Sequence, residues 1–408
     1  MQRLSGLDAS FLYLESSSQP LHVCSILELD TSTMPGGYTF DRLRDGLSLR
    51  IKAMPQFREK LANSPLNLDY PVWVDDKSFD VDRHLHRIGL PPPGGRAELS
   101  EICGHIASLP LDRSRPLWEM WVIEGVAGTD AHRGGRLAVM TKVHHASVDG
   151  VTGANLMSQL CTTEADAPAP DPVDGLGDAS GLQIAAGGLV RFATRPLHLA
   201  NVLPTTVSSV VTMLLRARTG SNMARPFAAP RTAFNASITG HRNIAYAQLD
   251  LEDIKRVKNQ FGVKVNDVVT ALVSGVLRHY LLERAELPAL SLVATLLQDW
   301  SQFAGPAVFG IAMRVYARTR LTKDLPVYNL VISNVPGPQI PLYLLGCEVK
   351  AMYPLGPIFH GSGLNITVMS LNGKLNVGII SCPELLPDLW DLADDFAVGM
   401  EELLAAAV

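Results

Sequence analysis

The chain has 408 residues, of which 47% are apolar and 18% charged, with a formal net charge of −5. With a pI near 6.1 it carries no electrostatic footprint for nucleic acid, so that class of partner is set aside. The length suits two domains or one bilobal unit, and a mean hydropathy of +0.14 points to a large core, apolar ligands or a lipid surface.

Leu4 to Leu12 reads as a turn leading into a short apolar element, and Pro20 to Leu29 as a strand. Leu43, Leu47 and Ile51 recur at helical spacing within Phe40 to Met54, and Pro55 ends that helix. Trp73-Val74 and Phe79 to Val81 are short extended pieces, and Glu98 to Leu109 is a second helix. Pro110 to Glu124 enters a strand behind a charged turn, and Gly125 to Gly135 connects it, hairpin-like, to an apolar strand over Leu137 to Val143. Gly153 to Met157 reads as the start of a helix.

Between Thr162 and Gly181 the composition shifts to Asp, Ala, Pro and Gly, the mark of a linker. Pro196 to Leu215 lacks formal charge apart from His198 and is long enough to raise a membrane span. Asn201, Pro204 and several Thr and Ser residues argue instead for a connecting helix, packed on protein or lying on a membrane surface. A second unit starts near Asn243, with a strand over Ile244 to Leu249 and a helix capped by Asp250 and stopped by Gly262. A further helix follows Val265, where Asn266 has the chemistry of an N-cap. Val327 to Ser333 is a strand ended by Pro336-Gly337-Pro338, and Asn372-Gly373 turns a hairpin between Gly363 and Ile380. Pro387 to Ala407 closes as an amphipathic helix, giving domains at 1–161 and 243–408 joined by 162–242.

The chemistry concentrates in Val143-His144-His145-Ala146-Ser147-Val148-Asp149-Gly150, where a strand runs out. If the extended conformation persists, adjacent side chains point to opposite faces, so one histidine addresses a cavity and the other is satisfied structurally. Asp149, after a tight turn, can accept a hydrogen bond or fix the loop, and Gly150 and Gly153 permit close approach. That spacing suits a histidine base held in a fixed orientation, although a hydrogen-bonded pair without chemistry has the same pattern. Two adjacent histidines on an extended segment do not easily turn toward one ion, so no metal is expected. Cys24, Cys103, Cys161, Cys347 and Cys382 are scattered, which indicates neither a disulfide framework nor a zinc cluster and fits a reducing cytoplasm. Arg3, Asp8 and Glu15 break up the amino-terminal stretch, so no secretory leader is read there.

Nearly end to end, the sequence resembles the bacterial wax ester synthase/acyl-CoA:diacylglycerol acyltransferase family. The motifs are Leu4 to Phe11, Pro116-Leu117-Trp118-Glu119, the HHxxxDG signature from His144 to Gly150, Asn266-Asp267-Val268-Val269, and Ser333 to Pro338. HHxxxDG alone would indicate only the wider superfamily of CoA-dependent acyltransferases and condensation domains. The resemblance implies an α/β fold of two chloramphenicol-acetyltransferase-like domains with mixed sheets and an active-site tunnel between them. It implies that His145 is the general base, that His144 and Asp149 orient, that Gly150 leaves room for the acceptor, and that Asn266 with Asp267 supports the oxyanion from the second domain. Pro116, Leu117 and Trp118 are placed with the substrate. Long-chain acyl-CoA is implied as co-substrate with no bound cofactor, and diacylglycerol, or else a fatty alcohol, as acceptor. A cytoplasmic protein in peripheral contact with the inner membrane face or lipid bodies is implied as well.

One departure stands out: Ser291 to Thr295 runs almost directly into Leu296 to Trp300, where the family has a longer passage. A non-catalytic lipid-binding protein and a carrier-dependent condensation enzyme are the readings from other classes. A hydrolase is disfavoured because no GxSxG elbow is present.

Overall fold

The computed structural model describes residues 2–63, 69–147, 159–175, 229–296 and 327–407, with four more between 183 and 190. The first part of the chain forms β1 (Gln2–Arg3), α1 (Gly6–Leu14), β2 (His22–Asp30), α2 (Phe40–Lys52), β3 (Glu59–Ala62) and β4 (Val72–Asp75). It continues through β5 (Leu85–Gly89), α3 (Arg96–Ser108), β6 (Trp118–Glu124), β7 (Arg136–His144) and β8 (Cys161–Thr162). The later part holds β9 (Asn243–Asp250), α4 (Leu251–Phe261), α5 (Val265–Glu283), β10 (Ala294–Leu296) and β11 (Leu330–Pro336). After these come β12 (Tyr343–Leu344), β13 (Cys347–Leu355), β14 (Leu364–Leu371), β15 (Lys374–Ser381) and α6 (Leu389–Ala406). The expected strands at Pro20 to Leu29, Leu137 to Val143 and Ile244 to Leu249 are present within a residue or two, as are the helices expected from Phe40, Glu98, Asp250, Val265 and Pro387.

Two mixed sheets carry the fold. The larger has the order β5-β6-β7-β2-β13-β12-β8 and the smaller β10-β11-β14-β15-β9, while β1-β4-β3 form a separate three-stranded piece. In the larger sheet only β5 and β6 are parallel; in the smaller, β10, β11 and β14 pair in parallel, and β15 pairs antiparallel with both β14 and β9. The sheets do not divide the chain at one point. Strand β13 pairs with β2 from Glu348 opposite Asp30 to Leu355 opposite Cys24, so a strand from within 243–408 completes the sheet of the first 161 residues. No sequence signal singled out β13.

One buried cluster joins α2, β6, β7 and β13, and another packs α4, α5 and α6 on the smaller sheet. A third unites the halves, with Leu99, Cys103 and Ile106 of α3 against Ile244, Ile380 and Cys382. Gly104 lets α3 approach that second half: a Cβ there would lie 2.4 Å from the Arg242 carbonyl oxygen. The hairpin between β14 and β15 turns at Asn372 and Gly373 with φ of +44° and +78°, the left-handed pair such a two-residue turn requires.

Several local expectations change. Leu4 to Leu12 belongs mostly to a helix, because Ser5 accepts the Asp8 amide at 3.1 Å as its N-cap. Val81–Arg83 is a 3₁₀ turn begun by Asp80, which accepts the Asp82 amide at 3.1 Å, and is not extended. Asn266 is not the N-cap of α5. The helix begins at Val265 after Lys264, whose amide donates to Asp267 Oδ2 at 2.8 Å, so Asp267 does the capping. β11 starts later than expected and continues through Pro336. The stretch 196–215, the helix start at Gly153 and the passage after Leu296 lie outside the described residues.

Candidate active site

Every residue of β7 from Leu137 to His144 is buried, on both faces. The polar ones therefore need partners. Lys142 is fully buried, and its ammonium meets Glu119 Oε2 at 2.9 Å and donates to the carbonyl oxygens of Ile106 and Leu109 at the end of α3. The strand stops at His144, and His145–Ser147 form a 3₁₀ turn. The dipeptide is clamped from both neighbouring strands: the His144 amide donates to Leu117 O and the His145 amide to Leu21 O, each at 2.9 Å.

The turn alters the simple alternation expected of an extended pair. Both imidazoles are met by α1 and its C-cap, His145 by Phe11 and His144 by Glu15, whose amide donates back to Phe11 O at 3.1 Å. The Ala146 amide donates to His144 Nδ1 at 3.0 Å. An accepting Nδ1 leaves the ring hydrogen on Nε2, 3.4 Å from Glu15 Oε1. The His144 ring is fully buried; the Ala146 amide fixes Nδ1, and Nε2 lies within ion-pair range of Glu15 without a hydrogen bond among the described residues.

Glu15 is the hub. Its Oε1 also faces the Leu21 amide at 3.3 Å and His22 Nδ1 at 3.8 Å, while Oε2 accepts from Arg113 Nη2 at 2.5 Å and Nε at 3.1 Å. Burial alone would raise the carboxyl pKa. It is outweighed by the contact with His144, then by Arg113 and His22, and the group falls to about 2. His22 lies opposite His144 in the β2–β7 register, its ring edge-on at 5.9 Å, and burial pushes its pKa down to about 3.

His145 stacks on Phe11 with ring centroids 3.9 Å apart and planes 20° from parallel. Burial, with the adjacent His144, pushes its pKa down to about 4, while its own backbone carbonyl acts in the opposite direction. Among the described residues, Nδ1 has no hydrogen-bond partner. The ring is thus neutral at pH 7, oriented by a flat aromatic neighbour, and able to take up a proton.

The second half contributes a separate pair. Asn266, on the first turn of α5, accepts from the Asn334 Nδ2 amide at the end of β11. With its Oδ1 so used, the group Asn266 turns elsewhere is an NH₂ donor. Asp267 is exposed and serves the helix cap.

Pro116, Leu117 and Trp118 are buried. The Trp118 indole donates to Phe57 O at 2.8 Å and stacks on His84 at 4.7 Å, and Leu117 supplies the carbonyl that holds His144. Of the three, Leu117 is the one whose contacts hold the histidine turn. Asp149 and Gly150 lie outside the described residues. Among the described residues, no group of three or more His, Cys, Asp or Glu is arranged to hold a metal ion, and no helix is long and apolar enough to cross a membrane. Sequence reasoning missed Phe11, Glu15, Arg113 and His22 as site residues. They are up to 134 positions from the signature in the chain, and no spacing rule relates them to it.

Known proteins resemble this chain along nearly its whole length. Residues 4–269 match the wax ester synthase/diacylglycerol acyltransferase catalytic domain, and 283–404 match the C-terminal domain of the same family. A Mycobacterium tuberculosis CDC 1551 protein, provisionally named a diacylglycerol O-acyltransferase, is 54% identical over 459 residues, covering 99% of this chain and 90% of that protein. Since this chain has 408 residues, at least 51 of those positions have no counterpart in it. A second M. tuberculosis protein with the same kind of name, from strain H37Rv, is 30% identical over 469 residues, covering 100% of this chain and 98% of its own length. The solved wax ester synthase/diacylglycerol acyltransferase of Marinobacter aquaeolei VT8 superposes with a TM-score of 0.72 at 28% identity, over 100% of both chains. The first condensation domain of the calcium-dependent antibiotic synthetase shares the fold, with a TM-score of 0.57 at 16% identity over 99% of this chain and 97% of that one. The expected two-part, mixed-sheet acyltransferase fold is therefore the observed one, and the chain belongs to the wax ester synthase/diacylglycerol acyltransferase family of acyltransferases.

Proposed function

We propose that the protein transfers a long-chain acyl group from its CoA thioester to the free hydroxyl of diacylglycerol, with His145 as general base. The observation that carries this is the His145 ring itself: neutral, stacked on Phe11, and mounted on a turn that Leu21, Leu117 and the Glu15–His144 pair hold from three sides. In this reading Nδ1 carries the ring hydrogen and Nε2 presents its lone pair to substrate. It takes the hydroxyl proton as the oxygen attacks the thioester carbonyl. The tetrahedral oxyanion forms, the C–S bond breaks, and the imidazolium returns the proton to the departing thiolate, yielding ester and free CoA thiol. No covalent acyl-enzyme is required.

In this reading the Asn266 NH₂ group, fixed by Asn334, donates to the oxyanion across a tunnel between the halves. His144 holds the turn, Asp149 orients the loop and Gly150 leaves room for the acceptor. Diacylglycerol is placed ahead of a fatty alcohol because relatives 54% and 53% identical to this chain are named for it. An acceptor that partitions into bilayers calls for peripheral contact with a membrane or lipid-body surface. The test is product analysis: purified protein with radiolabelled palmitoyl-CoA should convert dioleoylglycerol to triacylglycerol in preference to converting hexadecanol to wax ester. Wax ester as the dominant product would reverse the choice of acceptor, and labelled product with neither acceptor would overturn the reading.

A further inference from the structure

We infer that Phe11 is a positioning residue for the acyl transfer, holding the His145 imidazole in its working plane and keeping water from its face. This rests on the reading of His145 as the base. Among the described residues the His145 Nδ1 has no hydrogen-bond partner, so the contact seen to select the ring's rotamer is not a polar one at that nitrogen. The Phe11 ring supplies that contact, lying nearly parallel at 3.9 Å. Stacked π systems at this separation attract one another and exclude solvent from the covered face. The helix that carries Phe11 is itself anchored to the same turn through Glu15, which ion-pairs with Arg113 and approaches His144. Phe11 and Glu15 therefore divide the work, one fixing the base and the other the histidine beside it.

Excluding water has a consequence for basicity. A desolvated imidazole resists protonation, so His145 stays a free base well into the acid range, in line with the low pKa that its burial produces. The charged and titratable groups on the elements around it are His144 on the same turn, Glu15 and Asp8 on α1, His22 on β2, Arg113 beyond Glu15, and Lys142 further back on β7. Of these, Asp8 is bonded to Ser5, and Lys142 is held by Glu119. Asp149, outside the described residues, is unchanged in every variant below.

The test compares Phe11→Ala, Phe11→Leu and Phe11→Tyr by the pH dependence of kcat/KM and by NMR titration of the His145 ring in the full chain. The resonance is assigned by its loss in His145→Asn. For Phe11→Ala the acid limb should move upward by about one pH unit from its wild-type place near 4, so that at pH 5 activity relative to its own plateau is down about twofold against the wild type. The NMR titration should move with it. Phe11→Leu, which retains bulk without a flat ring, should keep the low titration point and lose kcat with little change in KM. Phe11→Tyr should restore both. A Phe11→Ala protein whose His145 titrates where the wild type does, or whose acid limb stays in place, overturns the inference. If His145→Asn retains full turnover, the assignment of the base fails instead. The NMR titration still decides the role of Phe11 in setting the ring.

Discussion

Replacing Glu15 with Gln removes one charge and one acceptor from the hub without changing its shape. The side chain is 13% exposed, and its two oxygens serve two opposed sets of donors. Oε1 faces His144 Nε2 and the Leu21 amide, and Oε2 faces the Arg113 guanidinium. A glutamine can present its carbonyl to only one set. If it faces His144, its NH₂ group meets the Arg113 donors; if it faces Arg113, His144 loses its acceptor. A carboxyl held near pH 2 instead of its ordinary 4.5 sets an upper bound of roughly 3 kcal/mol on the contribution at neutral pH. Arg113 is 47% exposed, and water screens its share to under about 1 kcal/mol. Glu15→Gln should therefore cost about 2 kcal/mol, seen as a fall in Tm of roughly 3–5 °C by calorimetry. A shift of His145 by about 1 Å as the turn relaxes should lower kcat by about a hundredfold. A variant with unchanged Tm and unchanged kcat would refute the assignment of Glu15 as the anchor of this turn.

Other consequences are read from the same contacts. Acid should destabilise the fold from about pH 6.5 downward: the folded state keeps His22 and His145 neutral, so the unfolded chain binds protons first and stability falls as pH drops toward about 3 and about 4 respectively. Glu15 works in the same sense, its contribution complete above about pH 4.5 and lost toward about 2. Urea midpoints between pH 7 and 4 should show that slope, and His22→Asn should flatten it; a midpoint independent of pH contradicts the buried neutral rings. Asn266→Ala should lower kcat about 10²- to 10³-fold with little change in KM if its NH₂ group meets the oxyanion, and Asn334→Ala should follow more weakly. Equal losses in KM alone would remove that role. Gly104→Ala, forcing α3 away from the Arg242 carbonyl, should cost about 1–3 kcal/mol by denaturant unfolding; no loss would mean the two halves part without penalty.

What could be read from sequence followed the range of the interactions. Helices α2, α4 and α6 and the Asn372-Gly373 hairpin were legible because periodicity, capping and turn chemistry act over a few residues. His144 and His145 were legible as a motif at a strand end. The 3₁₀ turn that brings both rings to α1 was not, since alternation assumes that the strand continues. Phe11 was read only as the end of the Leu4 to Phe11 motif and Glu15 only as a charge in the amino-terminal stretch, because the histidines they meet are more than a hundred residues away. Strand β13 was invisible for the same reason: its place beside β2 is set by a pairing across more than 300 residues. Asn266 was read as a cap because its side chain suits one, yet Asp267 one residue later completes the box with Lys264 and leaves Asn266 to pair with Asn334.

The measurement closest to the central claim is release of CoA thiol from palmitoyl-CoA by purified protein with dioleoylglycerol, set beside His145→Ala. Acceptor-dependent release that falls by about 10²- to 10⁴-fold in the variant, while His144→Ala loses stability as well as rate, is the expected result. Release that is equal in the wild type and His145→Ala would contradict the account of His145 as the base.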